Sequence, residues 1–371
     1  MGDPANIDIG WRSALMLAAA LPVYGCVLFL LLRSIERRAS GFLAATLFAA
    51  AFLMTPQILG YANFYTVWPG LTYFPFNTKL WIPALFYLHA WCLMHDQPLG
   101  WRKFLLVPGL IQTIYYLWAF TALGDYRSKW AYDEAFHVPY IVPVESALVI
   151  IGVGLVVVAI ARMLRQYRHY LQATQSAASD FDPRWIVRLF WLAGVAALAW
   201  LLLEIVDVWV MSLSYNEQYP VLLLMIVLVA IAGFDALSSI REPFPKITAP
   251  EPAKDSPEQK DWKAESHSLR KQVQDEQWYL EPRLTIRDVA TRRATNETYI
   301  SRALNKGLGI TFNAFINGLR VEHARHILTS SDESLIQVAF ASGFNSKATF
   351  NRVFKDMTGE TPSAYRRSSA T

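Results

Sequence analysis

Seven long apolar runs crowd the first 240 residues of this 371-residue chain, more than a soluble core can absorb. They are Ser13–Leu32, Gly41–Tyr61, Lys79–Met94, Phe104–Leu123, Tyr140–Leu164, Trp185–Ser212 and Tyr219–Ile240. A helix rises 1.5 Å per residue, so crossing about 30 Å of hydrocarbon takes about 20 apolar residues. Helix is the only spanning choice, because backbone groups in lipid must bond within their own segment and no barrel-like alternation is visible. The third run is the weakest, being short and opening on Lys79. Pro22, Pro56, Pro83, Pro108 and Pro143 are read as kinks.

Lys and Arg set the direction of threading. Arg33, Arg37 and Arg38 follow the first run, Arg102 and Lys103 the third, and Arg162, Arg165, Arg168 and Arg184 the fifth. The alternate loops are poorer: Arg12, Lys79 at a run edge, Arg127 and Lys129 beside Asp133 and Glu134, and Glu217. The first set is expected in the cytoplasm. An odd number of spans then leaves the N-terminus outside and everything after Ile240 inside. The leader Met1–Gly10 carries Asp3 and Asp8 and no Lys or Arg, the wrong charge for a signal peptide, so the first run is read as retained.

Composition changes abruptly at Arg241, which the overall formal charge of +4 conceals. Pro243, Pro245, Pro250, Pro252 and Pro257 stand among Lys, Glu and Asp in a linker, residues 241–261, that cannot pack a core. Extended, its roughly 20 residues reach on the order of 60 Å. Beyond it, Trp262–Trp278 is expected to be helical. Thr285 and Asp288 have capping-box spacing before a short helix to about Arg293; a turn at Ala294–Thr295 precedes a helix Asn296–Lys306. Phe312, Phe315, Ile316, Leu319, Ala324, Ile327 and Leu328 form one apolar stripe at helical spacing. Ser334 and Gln337 repeat the capping box ahead of a helix to Ala341. Gly343 supplies a turn, and Ser346 caps a helix to about Met357. Two helix-turn-helix units thus flank one connecting helix. The expected fold is all-α: a seven-helix transmembrane bundle (1–240), a linker (241–261) and a double helix-turn-helix domain (262–371).

Gly343-Phe344-Asn345-Ser346-Lys347-Ala348-Thr349-Phe350-Asn351-Arg352-Val353-Phe354-Lys355, continued by Thr358-Gly359-Glu360-Thr361-Pro362-Ser363-Ala364-Tyr365-Arg366, closely resembles the second helix-turn-helix of the AraC/XylS family. Tyr299-Ile300-Ser301-Arg302 and Phe315-Ile316-Asn317-Gly318-Leu319-Arg320 are similar to that family's first unit and connecting helix; the likeness covers about Glu276 to Arg367. The front half looks like the multi-span sensor region of membrane-bound members, as at Pro83-Ala84-Leu85-Phe86-Tyr87-Leu88. One departure is Ala294, where the family commonly has glycine; a positive φ there costs alanine roughly 1 kcal/mol. The resemblance implies a transcription regulator of the bacterial inner membrane that senses a signal through its spans, with double-stranded DNA and RNA polymerase as partners.

A recognition helix reads base edges with its N-terminal half while other contacts hold phosphates. With Ile300 and Leu304 inward, Asn296, Glu297, Thr298, Ser301 and Arg302 turn outward; with Phe350 and Phe354 inward, Lys347, Ala348, Asn351 and Arg352 do. The resemblance implies the same positions. Arg302 and Arg352 suit guanine edges, Asn351 an adenine and Ala348 a thymine methyl, each bidentate contact discriminating by about 1–3 kcal/mol. Lys355, Arg320, Arg366 and Arg367 are candidate phosphate contacts. A connecting helix of about 19 residues, about 28 Å long, sets two such helices near one DNA turn apart, so one copy reads two adjacent major-groove segments. Signalling by pairing two copies, a homodimer, stays open beside release of an inhibitory contact.

Ionisable groups in spans are costly. Glu145, Glu204 and Asp207 fall at the outer level, near Tyr61, Phe64, Tyr65, Trp68, Tyr73, Trp130 and Tyr132. They suit either a pocket for an amphipathic or cationic ligand or helix-to-helix bonds within an ordinary aromatic belt. Cys26 and Cys92 lie in apolar runs with no metal-ligand spacing, so neither metal nor cofactor is expected. Walker, dinucleotide, nucleophile-elbow and kinase patterns are all missing from the sequence, which argues against an enzyme. The rival readings are a membrane enzyme or transporter using His89, Glu145, Glu204 or Asp207, and a receptor whose terminal domain binds a protein.

Overall fold

The computed structural model describes residues 7, 9–33, 35–206, 210–211, 213–239, 242–248 and 260–369, without the side chains of Phe190, Ala197, Glu204 and Tyr215. Among them the fold is helical with no extended strand, and Gln175 and Thr285 form an isolated bridge. They divide into two compact units, 164–182 joining 247–371 while the remainder forms the other.

The first unit holds α1 (Trp11–Leu32), α2 (Arg37–Phe52), α3 (Thr55–Tyr61), α4 (Phe64–Val67), α5 (Trp81–Met94), α6 (Val107–Ala122) and α7 (Tyr126–Tyr132). It also holds the front of α8 (Val142–Thr174), then α9 (Arg184–Ile205) and α10 (Tyr215–Ser239). Pro56 sits in the first turn of α3, where its missing amide costs nothing. α1 packs on α2 and α10, α2 on α5, and α9 on α10. Small side chains allow this approach: Ala20, Ala39, Ala44, Ala51 and Ala90 are fully buried, and a Cβ on Gly233 would lie 3.2 Å from Cys26 Sγ. The outward faces are apolar as well, with Leu28, Ile111, Ile150, Leu155 and Trp191 exposed. A soluble monomer rarely leaves so much apolar surface bare.

Six of the described helical stretches are long and apolar enough to cross a membrane. The expected third span differs: α5 has 14 residues, helical only from Trp81, and buries Leu88, Ala90, Leu93 and Met94 completely. Its length falls short of the about 20 residues a full crossing takes. The count of seven therefore rests on a largely buried helix, packed on α2 and too short to cross unaided. α8 runs the other way, continuing ten residues past the expected edge at Leu164.

The linker region departs from a free tether at its start. Glu36, held at φ 52°, accepts the Phe244 amide at 3.1 Å and pairs with Lys246 at 2.8 Å. Residues 249–259 of the expected linker lie outside the described residues.

The second unit contains α11 (Trp262–Asp275), α12 (Ile286–Arg292), α13 (Glu297–Arg302), α14 (Phe312–Ser330), α15 (Leu335–Ala341), α16 (Lys347–Thr358) and α17 (Pro362–Ser369). α11 stops short of Trp278 because Gln277 turns left-handed at φ 55°. The helix expected over Asn296–Lys306 is α-helical over Glu297–Arg302 and then widens, its end Ala303–Leu308 wound as a π-helix. Two cores result. Leu269, Val273, Ile286, Val289, Ile300, Leu304, Phe312, Phe315, Ile316 and Leu319 fill the first. Val321, Ala324, Leu328, Val338, Phe344, Phe350 and Phe354 fill the second. α14 feeds both, its first half one core and its second half the other.

Candidate nucleic-acid interface

Each reading unit is started by its own caps. Thr285 Oγ1 accepts the Asp288 amide at 3.2 Å, and Asp288 answers by accepting the Thr285 amide at 2.8 Å. Ser334 and Gln337 form the second reciprocal box. Asn296 Oδ1 accepts the Tyr299 amide at 2.8 Å, and Ser346 Oγ accepts that of Thr349 at 3.1 Å, so both recognition helices, α13 and α16, begin on a fixed cap. The turns before them are left-handed: φ is +50° at Ala294 and +83° at Gly343. The departure from glycine noted in the sequence thus falls on a position with positive φ.

With Ile300, Phe350 and Phe354 fully buried, the opposite faces of α13 and α16 point away from their cores. Lys347, Ala348, Arg352 and Lys355 are exposed, while Thr298, Ser301, Arg302 and Asn351 are half-buried. Asn296 spends its side-chain oxygen on the cap, and the Ser301 hydroxyl accepts from Asn305 at 3.1 Å. Asn351 Oδ1 is buried without a hydrogen-bond partner, so any contact to an adenine runs through its amide nitrogen or follows a rotation of the side chain.

Arg320 corrects an expectation. Read from the sequence as a phosphate contact, it is 1% exposed. Its Nε donates to the Tyr279 carbonyl at 2.7 Å and its terminal nitrogen to the Glu281 carbonyl at 2.6 Å and Ser176 Oγ at 3.2 Å. Burial draws this guanidinium down to about 10, against which Asp180 favours the charged form. Arg366 is also partly enclosed, its Nε and one terminal nitrogen buried without partners.

Sequence reasoning missed the residues that meet the stretch after α8. The Ser176 amide donates to the Leu284 carbonyl at 3.1 Å, and Gln175 bridges Thr285. Asn313 Nδ2 donates to the carbonyls of Gln175 at 3.0 Å and Ser176 at 2.7 Å. Asn345 Nδ2 donates to Asp180 Oδ2 at 2.7 Å. The available signal was the recurrence of Tyr167, Tyr170 and Leu171 beyond the apolar run; Tyr167 and Leu171 are buried.

In the first unit, Glu145 is 5% exposed and already paired. It accepts from Asn77 at 3.0 Å and from the Tyr116 hydroxyl at 3.3 Å. His137 lies 2.9 Å from the Tyr115 hydroxyl and 3.4 Å from that of Tyr116. Asp207 and the Glu204 side chain lie outside the described residues. His89 is fully buried with Nδ1 2.8 Å from the Ala39 carbonyl oxygen.

Comparison with known proteins bears on the second unit. A family model described as a helix-turn-helix domain matches residues 289–368. A helix-turn-helix-type transcriptional regulator of Staphylococcus aureus (strain COL) is 36% identical over 83 residues, 22% of this chain and 11% of that protein. The melibiose operon regulatory protein of Escherichia coli (strain K12) is 31% identical over 84 residues, 23% of this chain and 28% of that one. Among solved structures, the C-terminal domain of AraT, a response regulator from Geobacillus stearothermophilus, is 26% identical, covers 29% of this chain and 88% of its own, with a TM-score of 0.27. The chain spans about a tenth of the length of the staphylococcal relatives and just over a quarter of the melibiose regulator.

Proposed function

From a C-terminal domain that is an AraC-type helix-turn-helix domain, we propose that the whole chain is a membrane-anchored transcription regulator. Its spans receive a signal and its last hundred or so residues, from about Trp262, bind double-stranded DNA in the cytoplasm. The observation that carries the reading is the pair of capped recognition helices, each with its apolar face buried and a polar or basic face open. Two such helices joined by the 19 residues of α14 suit successive major-groove segments of one duplex. Arg302 and Arg352 are the proposed guanine readers, with Thr298, Ser301, Lys347, Ala348 and Asn351 beside them. Lys355 is proposed for a phosphate, and Asn296 serves chiefly as a cap.

The apolar outer faces of the long helices support an anchored first unit. The excess of Lys and Arg in alternate loops supports a cytoplasmic C-terminus. Glu145 and its tyrosine and histidine neighbours are the proposed seat of signal reception at the outer level. RNA polymerase, and a second copy of the chain, are proposed partners by family likeness.

The test uses the full chain in lipid nanodiscs, with duplexes selected from a random library. Sequence-selective binding that weakens as salt rises, and that Arg352→Ala reduces by about ten- to a hundredfold, is expected. Selection that enriches no sequence at low salt refutes the reading.

A further inference from the structure

α8 is an unbroken helix of 33 residues, and Glu145 stands in its first turn. At 1.5 Å per residue it extends about 50 Å. Its far end delivers the short stretch 175–182, which carries Asp180 and Asp182 and touches both helix-turn-helix units. At the first it reaches Leu284 and Thr285, where α12 begins. At the second, Asp180 takes the side-chain amide of Asn345, the residue just before the α16 cap. Between them Asn313 and Arg320 of α14 hold Gln175 and Ser176.

These attachment points share one property. In a helix-turn-helix the first helix crosses the DNA backbone and the recognition helix enters the groove by its N-terminal half, so the start of α12 meets the backbone and the start of α16 the groove it reads. A carboxylate bonded to Asn345, beside the groove-facing end of α16, carries the charge of a phosphate oxygen and holds an amide that DNA would otherwise take. Like charge adds repulsion.

We propose that residues 175–182 are a built-in competitor of DNA, an acidic segment on the C-terminal end of α8 that covers the DNA-facing ends of both reading units until α8 shifts. The inference rests on the DNA-binding reading above and gives its signal a route. A displacement of α8 at Glu145 withdraws Asp180 from Asn345 and frees both ends together. A ligand or partner acts only insofar as it prefers the withdrawn state.

The experiment measures duplex affinity of the full chain in phosphatidylcholine–phosphatidylglycerol nanodiscs by fluorescence anisotropy, using the selected site. Asp180 is exposed, so Asp180→Ala leaves packing intact. It is expected to tighten binding about 3- to 10-fold. Asn313→Ala, which loses the bonds to Gln175 and Ser176, is expected to act in the same direction. Asp275→Ala removes an equal, exposed charge at the end of α11, outside both helix-turn-helix units, and is expected to change affinity less than about twofold. Hydrogen exchange at the Ser176 amide is expected to quicken when duplex is added to the wild type. Asp180→Ala binding no tighter than wild type, or no tighter than Asp275→Ala, overturns the competitor while Arg352→Ala still reports on DNA reading. So does a Ser176 amide whose exchange duplex leaves unchanged. Failure of wild type and Asp180→Ala alike to bind any duplex overturns the DNA-binding reading and this inference with it.

Discussion

Gly343 lies so close to Leu280 that a Cβ on the glycine would stand 2.8 Å from the leucine carbonyl oxygen, and equally close to that of Tyr279. The turn of the second helix-turn-helix is therefore seated on the strip of chain that leads into the first. Arg320 binds the same Tyr279 carbonyl from α14. The two reading units are joined through this strip as well as along the connecting helix.

Gly343→Ala meets backbone on one side and a left-handed φ of +83° on the other. The expected cost is about 2–3 kcal/mol. Native-state hydrogen exchange at Phe350 and Phe354 checks it: their amides are expected to exchange faster, while those of Ile300 and Leu304 change less.

Ala294→Gly carries the opposite sign. Alanine at φ +50° is strained, and its exposed methyl packs against little. Relief of about 1 kcal/mol, less glycine's extra freedom in the unfolded chain, leaves a gain of about 0.5 kcal/mol. Slower exchange through α12 and α13 is the readout; no change or acceleration there contradicts the strain.

Lys355→Ala and Arg320→Met separate phosphate contact from scaffold. Loss of an exposed phosphate contact at Lys355 is expected to lower the salt slope of DNA binding by about 0.9. Arg320→Met is expected to leave that slope unchanged in whatever fraction stays folded. Its penalty falls on stability, about 2–4 kcal/mol, because the Tyr279 and Glu281 carbonyls lose their donor.

His323 makes the second unit sensitive to acid. Burial, then repulsion from His326, holds its imidazole below the ordinary value of 6.5. Below that value the unfolded chain binds a proton that the folded one resists, so stability falls as pH drops through about 6.5 toward the folded value. Exchange of α14 amides measured between pH 5 and 7.5 is expected to show this, and His323→Gln to flatten it.

The helix-turn-helix units were legible because their signals are local. The capping boxes at Thr285 and Ser334 each fall within four residues, and the inward positions of Ile300, Phe350 and Phe354 follow from helical period. Arg320 was misread because a single arginine on a helix gives no sign of which neighbour encloses it. The carbonyls that bind it lie about forty positions upstream. The partnership of Asp180 with Asn345 spans 165 positions and leaves no periodic trace. Hydropathy located α5 and its shortness, since Lys79 and His95 bracket the run, but not that Leu88, Ala90, Leu93 and Met94 are wholly buried.

An unbroken α8 also makes its length a matter of phase. Each residue inserted between Ile150 and Ile160 turns everything after it by about 100° and lifts it about 1.5 Å. One added residue aims Asp180 well away from its bearing, whereas seven, close to two full turns, nearly restore the bearing at a lift of about 10 Å. A regulator wired through a rigid shaft tolerates such insertions periodically, while one wired through slack cord ignores them, so a ladder of alanine insertions reads out which kind of transmission this chain possesses.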